Sequence, residues 1–163
     1  MEQRFETIPA KKFIGLKIMS SVVKEPESAR IWPQFMPRRK EISSIKGNEV
    51  YALTVYPGDY FQKSFDPNAP FEKWATVEVN DFNSVPMGME TLESSGGLYA
   101  VFSYKGSVTE AYKALQYIYM SWLPSSDYLA DGRPHMAVMG EKYKNNDPES
   151  EEEFWIPVKK KTT

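Results

Sequence analysis

The sequence contains no cysteine and only one histidine, His135. Without cysteine the chain has no disulfide, no thiolate nucleophile and no cysteine–zinc site. A single histidine excludes a site built from several histidine ligands and leaves only His135 for a Ser-His-Asp triad. Gly88, Gly96 and Gly97 lack the spacing of a dinucleotide-binding loop. We therefore expect a protein that uses no metal and no cofactor.

The sequence also lacks an excess of one charge and a long apolar run. Lys and Arg total 20 and Asp and Glu total 22, for a net charge of −2. This balance gives no support for binding nucleic acid through bulk electrostatics. No stretch reaches the ~20 apolar residues of a membrane-spanning helix, and the first five residues lack the apolar core of a signal peptide. We expect a cytoplasmic protein without a nucleic-acid or membrane partner, either a monomer or a weak homodimer.

Aromatic residues are abundant instead. They make up 14% of the 163 residues, with 10 Tyr, 9 Phe and 4 Trp. A chain of this length buries about 70% of its unfolded surface, so it can form a sizeable core without disulfides or structural metal ions. Part of the aromatic content belongs to that core. The excess also suits a pocket that stacks on flat or cationic ligands.

The clearest predicted helix runs from 107 to 122. Apolar side chains recur there at helical spacing, and Ser107 and Glu110 have the pattern of a capping box. Tyr112 lies on the apolar face of this helix, and its hydroxyl could reach a cleft. A shorter helix is predicted over 31–42. Pro33 fits its first turn, where a missing N–H costs little, whereas Pro37 makes it the weaker of the two helices.

Apolar alternation and turn residues predict the strands. These strands cover 12–19, 50–56, 74–79, 98–104, 136–140 and 153–158. The order strand-helix-strand-strand occurs twice, at residues 10–80 and 95–160, with corresponding elements about 80 to 86 residues apart. We predict one α+β domain over 1–163, made of duplicated strand-helix-strand-strand units that form an antiparallel sheet with two helices on one face and a central cleft.

Three stretches in order carry a family resemblance: 97–106, 121–128 and the two C-terminal strands, the first of which contains Arg-Pro-His-Met-Ala-Val-Met-Gly over 133–140. Together they resemble the GyrI-like small-molecule-binding family, and segment 31–37 looks like the first-helix region of its stand-alone branch. The fold serves as the effector domain in some multidrug-sensing regulators. Because the first predicted strand begins near Lys12, the resemblance implies a free-standing pocket protein and not a transcription factor.

The resemblance also implies a glutamate, on the strand that contains Met136, that projects into an aromatic cleft. Here Ala137 occupies that position, while Pro134, Val138 and Gly140 keep the register. Three explanations stay open: a natural lineage without the acid, a substitution made to inactivate the protein, or a slipped alignment. Glu141, Glu152 and Glu153 are possible substitutes, although acidic runs of this kind are more often exposed to solvent.

Candidate ligand-binding residues are aromatic or sulfur-containing side chains on the predicted strands and helices. They are Trp32, Phe35, Met36, Tyr56, Trp74, Tyr112, Met136, Met139 and Trp155. For most of these residues the alternative role is packing in the hydrophobic core. Trp155 is predicted to face away from Phe154 and Ile156, toward a cleft on the other side of the sheet. His135 is favoured as a structural or exposed residue.

These observations and the resemblance lead to a functional hypothesis. We expect an aromatic cleft that binds a hydrophobic polycyclic or cationic aromatic molecule. The resemblance favours a detoxifying hydrolase that opens the ring of cyclopropane-bearing DNA-alkylating compounds, with Ala137 at its catalytic position impairing this version. The rival hypotheses are a non-catalytic drug-binding or sequestering protein, and an interaction protein similar to gyrase inhibitors.

Overall fold

The computed structural model describes residues 1–162 as an antiparallel sheet of nine strands with helical segments. The strands are β1 (Glu2–Ile8), β2 (Lys11–Ser20), β3 (Val50–Val55), β4 (Phe71–Val79), β5 (Glu90–Ser94), β6 (Gly97–Lys105), β7 (Tyr128–Ala130), β8 (His135–Met139) and β9 (Glu151–Lys160). The helices are α1 (Glu25–Ser28), α2 (Ile31–Phe35), α3 (Ala111–Tyr117) and α4 (Leu123–Ser125); a 3-10 turn (Met36–Glu41) continues α2, and a π-helical turn (Ile118–Trp122) joins α3 to α4.

The predicted α+β class and antiparallel sheet are confirmed. All six predicted strands are present, as β2, β3, β4, β6, β8 and β9. The strands β1, β5 and β7 were not predicted. Five of the 7 side chains of β1 are exposed, and β7 has only 3 residues, so neither carries the apolar alternation that marks a half-buried strand.

The strand order is β1-β6-β9-β8-β3-β4-β2-β5, and β7 pairs with the end of β9. This order is symmetric about the contact between β8 and β3, because β8-β9-β6 on one side corresponds to β3-β4-β2 on the other. Each half also lends its first strand to the other half: β1 pairs with β6, and β5 pairs with β2. The order is the one expected of two similar units, and superposition of 10–80 on 95–160 stays a prediction.

The two ends of the sheet lie close together because two short connectors link strands from opposite ends of the strand order. Residues 9–10 join β1 to β2, and residues 95–96 join β5 to β6. The two connectors touch at Gly96, where φ is +75° and a Cβ would lie 2.6 Å from the carbonyl oxygen of Ile8. Glycine tolerates both that φ and that approach. The sheet is therefore strongly curved.

The two faces of the sheet hold different cores. Side chains alternate along a strand, so each strand contributes to both faces. The inner face of the curve holds one cluster, which comprises Phe13, Tyr51, Leu53, Trp74, Tyr99, Val101 and Met136. Strands as far apart in the order as β2 and β6 share this cluster, as the curvature requires.

The helix-bearing face holds two separate clusters. The first-half cluster comprises Ile14, Ile31, Phe35, Ile42, Ala75, Val77, Val79 and Met89. The second-half cluster comprises Ala100, Phe102, Ala111, Ile118, Leu123, Phe154, Ile156 and Val158. The first packs under α2 and the second under α3 and the π-helical turn. No buried member of either cluster comes from the central strands β3 and β8, whose Val50 and Ala137 pack against the clusters only as partly buried residues.

The second helical segment begins later than predicted. α3 starts at Ala111 and no side chain caps it. The predicted capping box is wrong, because the Ser107 hydroxyl pairs with Thr109 Oγ1 at 3.1 Å and not with the helix. The helix predicted over 31–42 is shortened near Pro37, as expected. α2 ends at Phe35, and Pro37 lies at the start of the 3-10 turn that follows.

Two further observations concern residues 1–162 as a whole. No helix among them is long and apolar enough to cross a membrane. No group of three or more His, Asp and Glu side chains among them could hold a metal ion.

Candidate functional site

Three alanines form a row across the middle of the sheet on its helix-bearing face. The register pairs Ala75 of β4 with Ala52 of β3, and Ala52 with Ala137 of β8. Ala75 is fully buried under the first-half cluster, whereas Ala52 and Ala137 are only half-buried. Their short side chains and partial exposure leave an uncovered part of this face over β3 and β8. We call it the central cleft, with Ala52 and Ala137 as its floor.

Aromatic rings from several elements line one end of the central cleft. This aromatic cluster comprises Tyr56, Tyr60, Phe61, Tyr119 and His135. The Tyr56 ring meets the His135 ring edge-on at 4.7 Å, and Phe61 stacks on Tyr119 at 5.9 Å and on His135 at 5.6 Å. His135 precedes Ala137 by two positions on β8, so both face the same side. Phe61 remains 42% exposed and presents an accessible ring beside the floor.

The π-helical turn brings Tyr119 against His135. Hydrogen bonds in a π-turn span five residues, so the turn shifts its side chains relative to a regular α-helix. The Tyr119 hydroxyl lies 2.7 Å from His135 Nδ1. Burial raises the pKa of Tyr119 and lowers the pKa of His135 to about 3. His135 is therefore neutral near pH 7, and its Nε2 is buried without a hydrogen-bond partner among residues 1–162.

An ion pair adjoins the aromatic cluster. Lys73 Nζ of β4 lies 3.2 Å from Glu25 Oε1 and 3.1 Å from Thr54 Oγ1. Burial is the main cause that raises the pKa of the three phenols in the aromatic cluster, and the negative charge of Glu25 adds to the effect in each. The positive charge of Lys73 helps to lower the pKa of His135. This end of the cleft therefore carries a compensated pair of charges.

A carboxyl group lies at the other end of the central cleft. Phe154 of β9 pairs with Ala137, so Glu152, two residues before Phe154, faces the same side and is the diagonal neighbour of Ala137. Glu152 is only 9% exposed. Burial is the one cause that raises its pKa from 4.5 to about 7. Its carboxylate forms no ion pair or side-chain hydrogen bond with any described residue.

A separate open cavity of about 530 Å³ lies outside the central cleft, between residues 92–96 and 131–134. The guanidinium of Arg133 in its wall pairs with the Asp131 carboxylate at 3.1 Å and donates to the carbonyl oxygens of Leu98 and Val158. This arginine braces three parts of the chain and its charge is already compensated. We assign no chemistry to this cavity.

Several residues predicted from the sequence border the central cleft. Ala137 lies in its floor, Tyr56 lies in the aromatic cluster, and Met139 lies on the same face of β8 and is 9% exposed. Trp32 and Phe35 pack edge-to-face at 6.1 Å within the first-half cluster. Met36, the third candidate from the same segment, is 45% exposed at the start of the 3-10 turn.

Other predicted residues lie elsewhere. Trp74, Met136 and Trp155 belong to the inner face, and Met136 pairs with Trp155. Met136 and Ala137 are consecutive in one strand, so the pleat points them to opposite sides and they cannot line one cavity. Tyr112 is 60% exposed on the outer side of α3, and its hydroxyl does not reach the cleft.

Sequence reasoning missed most of the aromatic cluster. Tyr60 and Phe61 stand in the loop between β3 and β4, where no periodic pattern marks them. The density of aromatic residues after Tyr56 was the available signal. His135, for which a structural or exposed position was favoured, is buried within the aromatic cluster. The preference for an exposed Glu152 was wrong, whereas Glu153 does pair with Arg4 at the surface.

The sequence matches the family described as GyrI-like small molecule binding domain over residues 1–159. It is 25% identical over 160 residues to the transcriptional regulator BrlR of Pseudomonas aeruginosa, covering 97% of this chain and 56% of that protein. The chain thus spans little more than half the length of this relative.

Solved structures share the fold at low sequence identity. SAV2435 bound to tetraphenylphosphonium superposes with a TM-score of 0.73 at 14% identity, covering 98% of this chain and 94% of the other. A hydrolase encoded by lin2189 from Listeria innocua superposes with a TM-score of 0.56 at 11% identity, covering 97% of this chain and 92% of the other. At these identities the likeness shows the fold alone.

Proposed function

This chain belongs to the GyrI-like small-molecule-binding family, and we propose that it binds a bulky aromatic ligand, in particular a lipophilic cation, in the central cleft. One observation carries the proposal. The helix-bearing face leaves Ala52 and Ala137 half-buried in the middle of the sheet, directly beside the five rings of the aromatic cluster. A shallow apolar floor with aromatic walls suits a flat or multi-ring ligand.

The aromatic cluster favours a cation over a neutral molecule of the same shape. The faces of tyrosine and phenylalanine rings attract positive charge. His135 is neutral near pH 7, so it adds a ring without adding a repelling charge. The tetraphenylphosphonium bound by SAV2435, which shares the fold, supports the same ligand class.

Tetraphenylphosphonium is the probe that tests this function. Isothermal titration calorimetry of the full chain should give saturable binding at a 1:1 ratio. Phe61→Ala should weaken binding by about 1–2 kcal/mol, because the variant removes one stacking ring. Phe65→Ala is the matched control, since Phe65 lies in the same loop, is 62% exposed and is outside the aromatic cluster. Absence of binding to the unaltered protein, or equal losses in the two variants, would contradict the proposal.

A second candidate function is hydrolytic ring opening of cyclopropane-bearing DNA-alkylating compounds. Opening such a ring, when it is conjugated to a carbonyl, requires a water molecule delivered to carbon and a donor for the carbonyl oxygen. The pair formed by Tyr119 and His135 favours this candidate, because Nε2 carries a proton when Nδ1 accepts from the Tyr119 hydroxyl. That buried Nε2–H has no other partner among the described residues. Ala137 supplies no group that could orient water.

Ala137→Glu tests the catalytic candidate. A carboxylate at this half-buried floor position should raise the rate of cyclopropane opening by about 10²- to 10⁴-fold, the usual range for a positioned general base. Product formation by both proteins, measured over a range of pH, is the assay. Equal rates would remove position 137 from the chemistry and leave the binding function standing.

A further inference from the structure

The buried position of Glu152 is energetically unfavourable for an ionised carboxylate. It is 9% exposed on the helix-bearing face of β9. An isolated buried carboxylate loses its hydration without receiving compensation, so such groups are normally paired with a cation or several hydrogen-bond donors. Within residues 1–162 no side chain pairs with this carboxylate, which keeps only a small contact with solvent, and burial accordingly raises the pKa of Glu152.

The surroundings of Glu152 explain why the chain itself does not neutralise it. Across β6, Glu152 pairs with Tyr104, whose hydroxyl instead donates to the Ser107 carbonyl at 2.7 Å. Tyr143, from the loop before β9, lies close enough for Glu152 to raise its pKa, yet its hydroxyl donates to Asn145. Both nearby hydroxyls are therefore engaged elsewhere.

Glu152 is placed where a ligand in the central cleft can reach it. It is the diagonal neighbour of Ala137 on the adjacent strand, and such neighbours on one face of a sheet lie about 7–8 Å apart. Long side chains span that separation. A carboxylate at 152 therefore starts from the same face of the sheet as a glutamate at 137 would, one strand further into the second half.

We propose that Glu152 is the carboxylate that receives the positive charge of an organic cation bound in the central cleft, in place of an acid at position 137. The proposal rests on the proposed binding function and adds to it the residue that discriminates cations from neutral molecules. The cation supplies the partner that the buried carboxylate lacks. The apolar part of the ligand lies on Ala52 and Ala137, against the aromatic cluster.

The other acids near this region are less suited to the role. Glu25 is already paired with Lys73. Glu153 points to the opposite side of the sheet and pairs with Arg4 at 2.9 Å. Glu141 is exposed in the loop after β8. Glu152 alone among these four combines burial, the face of the cleft and a lack of partner.

Two probes of similar shape test the proposal: tetraphenylphosphonium, which is a cation, and triphenylphosphine oxide, which is neutral. Affinities are measured by calorimetry at pH 8, where Glu152 is ionised, for the unaltered chain, Glu152→Gln and Glu153→Gln. Glu152→Gln should weaken tetraphenylphosphonium binding by about 10- to 100-fold, as for removal of one partner of a desolvated charge pair. It should leave binding of the neutral probe unchanged, and Glu153→Gln should change neither.

A double variant separates loss of charge from loss of shape. Ala137→Glu combined with Glu152→Gln moves the carboxylate to the diagonal position and should recover cation binding. If the unaltered chain binds tetraphenylphosphonium and Glu152→Gln binds it equally well, this inference is overturned and the binding function survives. If Glu152→Gln loses both probes alike, the residue shapes the cleft and does not select charge, which also overturns it. If the unaltered chain binds neither probe, both proposals fail.

Discussion

The two faces of β3 and β8 differ in how closely they are packed. On the inner face Leu53 and Met136, which pair across the two strands, are 0% and 4% exposed inside a filled core. One residue away on the helix-bearing face, the paired Ala52 and Ala137 are small and half-buried. The strands and the register are the same for both pairs. The difference shows that the inner face provides stability, whereas the helix-bearing face gives up packing to leave a cleft.

Substitutions at two consecutive positions of β3 give the largest expected effects and test whether the two faces have different roles. Leu53→Ala should lower the free energy of unfolding by about 2–5 kcal/mol, because it leaves a cavity in the closed core. Affinity for tetraphenylphosphonium should not change. Ala52→Leu should do the reverse: it fills the floor and blocks the ligand, at a stability cost of less than about 1 kcal/mol because the site is open. Urea unfolding and calorimetry on the two variants decide the matter, and parallel effects on stability and affinity would erase the distinction between the faces.

The pH dependence of stability tests the burial of Glu152 on the helix-bearing face. Its pKa is raised from 4.5 to about 7, so the folded state binds the proton more tightly than the unfolded state. The cost of burying the ionised carboxyl is therefore absent below about pH 4.5, grows as the pH rises and is complete above about pH 7. Glu152→Gln should stabilise the protein by about 2–3 kcal/mol at pH 8 and by nearly nothing at pH 4.

Urea unfolding at pH 4 and pH 8 measures this effect, with Glu153→Gln as the control on the same strand. His135 acts in the opposite direction, since its folded pKa of about 3 makes stability fall as the pH drops below 6.5. That contribution is common to all three proteins and cancels in the difference. A gain at pH 4 as large as at pH 8 would show that Glu152 is not a buried, titrating acid.

The smallest expected effect concerns Trp155. Its ring is half-buried on the inner face, where Trp155 Nε1 donates to Glu153 at 3.2 Å and the Arg4 guanidinium lies 5.7 Å from the ring centroid. A stacking wall of the cleft would lose about 1–3 kcal/mol of binding free energy on Trp155→Ala. From its place on the other face we expect unchanged ligand affinity and a modest loss of stability. Calorimetry with tetraphenylphosphonium distinguishes the two outcomes, and a loss of affinity would move the binding site to the inner face.

The sequence by itself determined the regular part of this protein. Alternation of apolar and polar residues marked six strands, and the repeated order of elements led to an antiparallel sheet with helices on one face. The resemblance led to the family, which the match over 1–159 confirms. It also identified position 137, because Pro134 and Val138 keep the strand in register. Such features depend on local patterns of period 2 or on short motifs, which a single sequence displays directly.

The tertiary structure alone decided which of the candidate residues share a cavity. Trp74, Met136 and Trp155 carry the same aromatic or sulfur chemistry as the cleft residues, but the pleat points them into the inner core. The aromatic cluster joins Tyr56, Phe61, Tyr119 and His135 from a loop, a π-helical turn and a strand that are far apart in the chain. The burial of Glu152 likewise depends on its neighbours in other elements, Tyr104 of β6 and Tyr143 of the loop before β9. Composition and spacing carry no information on these long-range contacts, because packing between distant segments creates them.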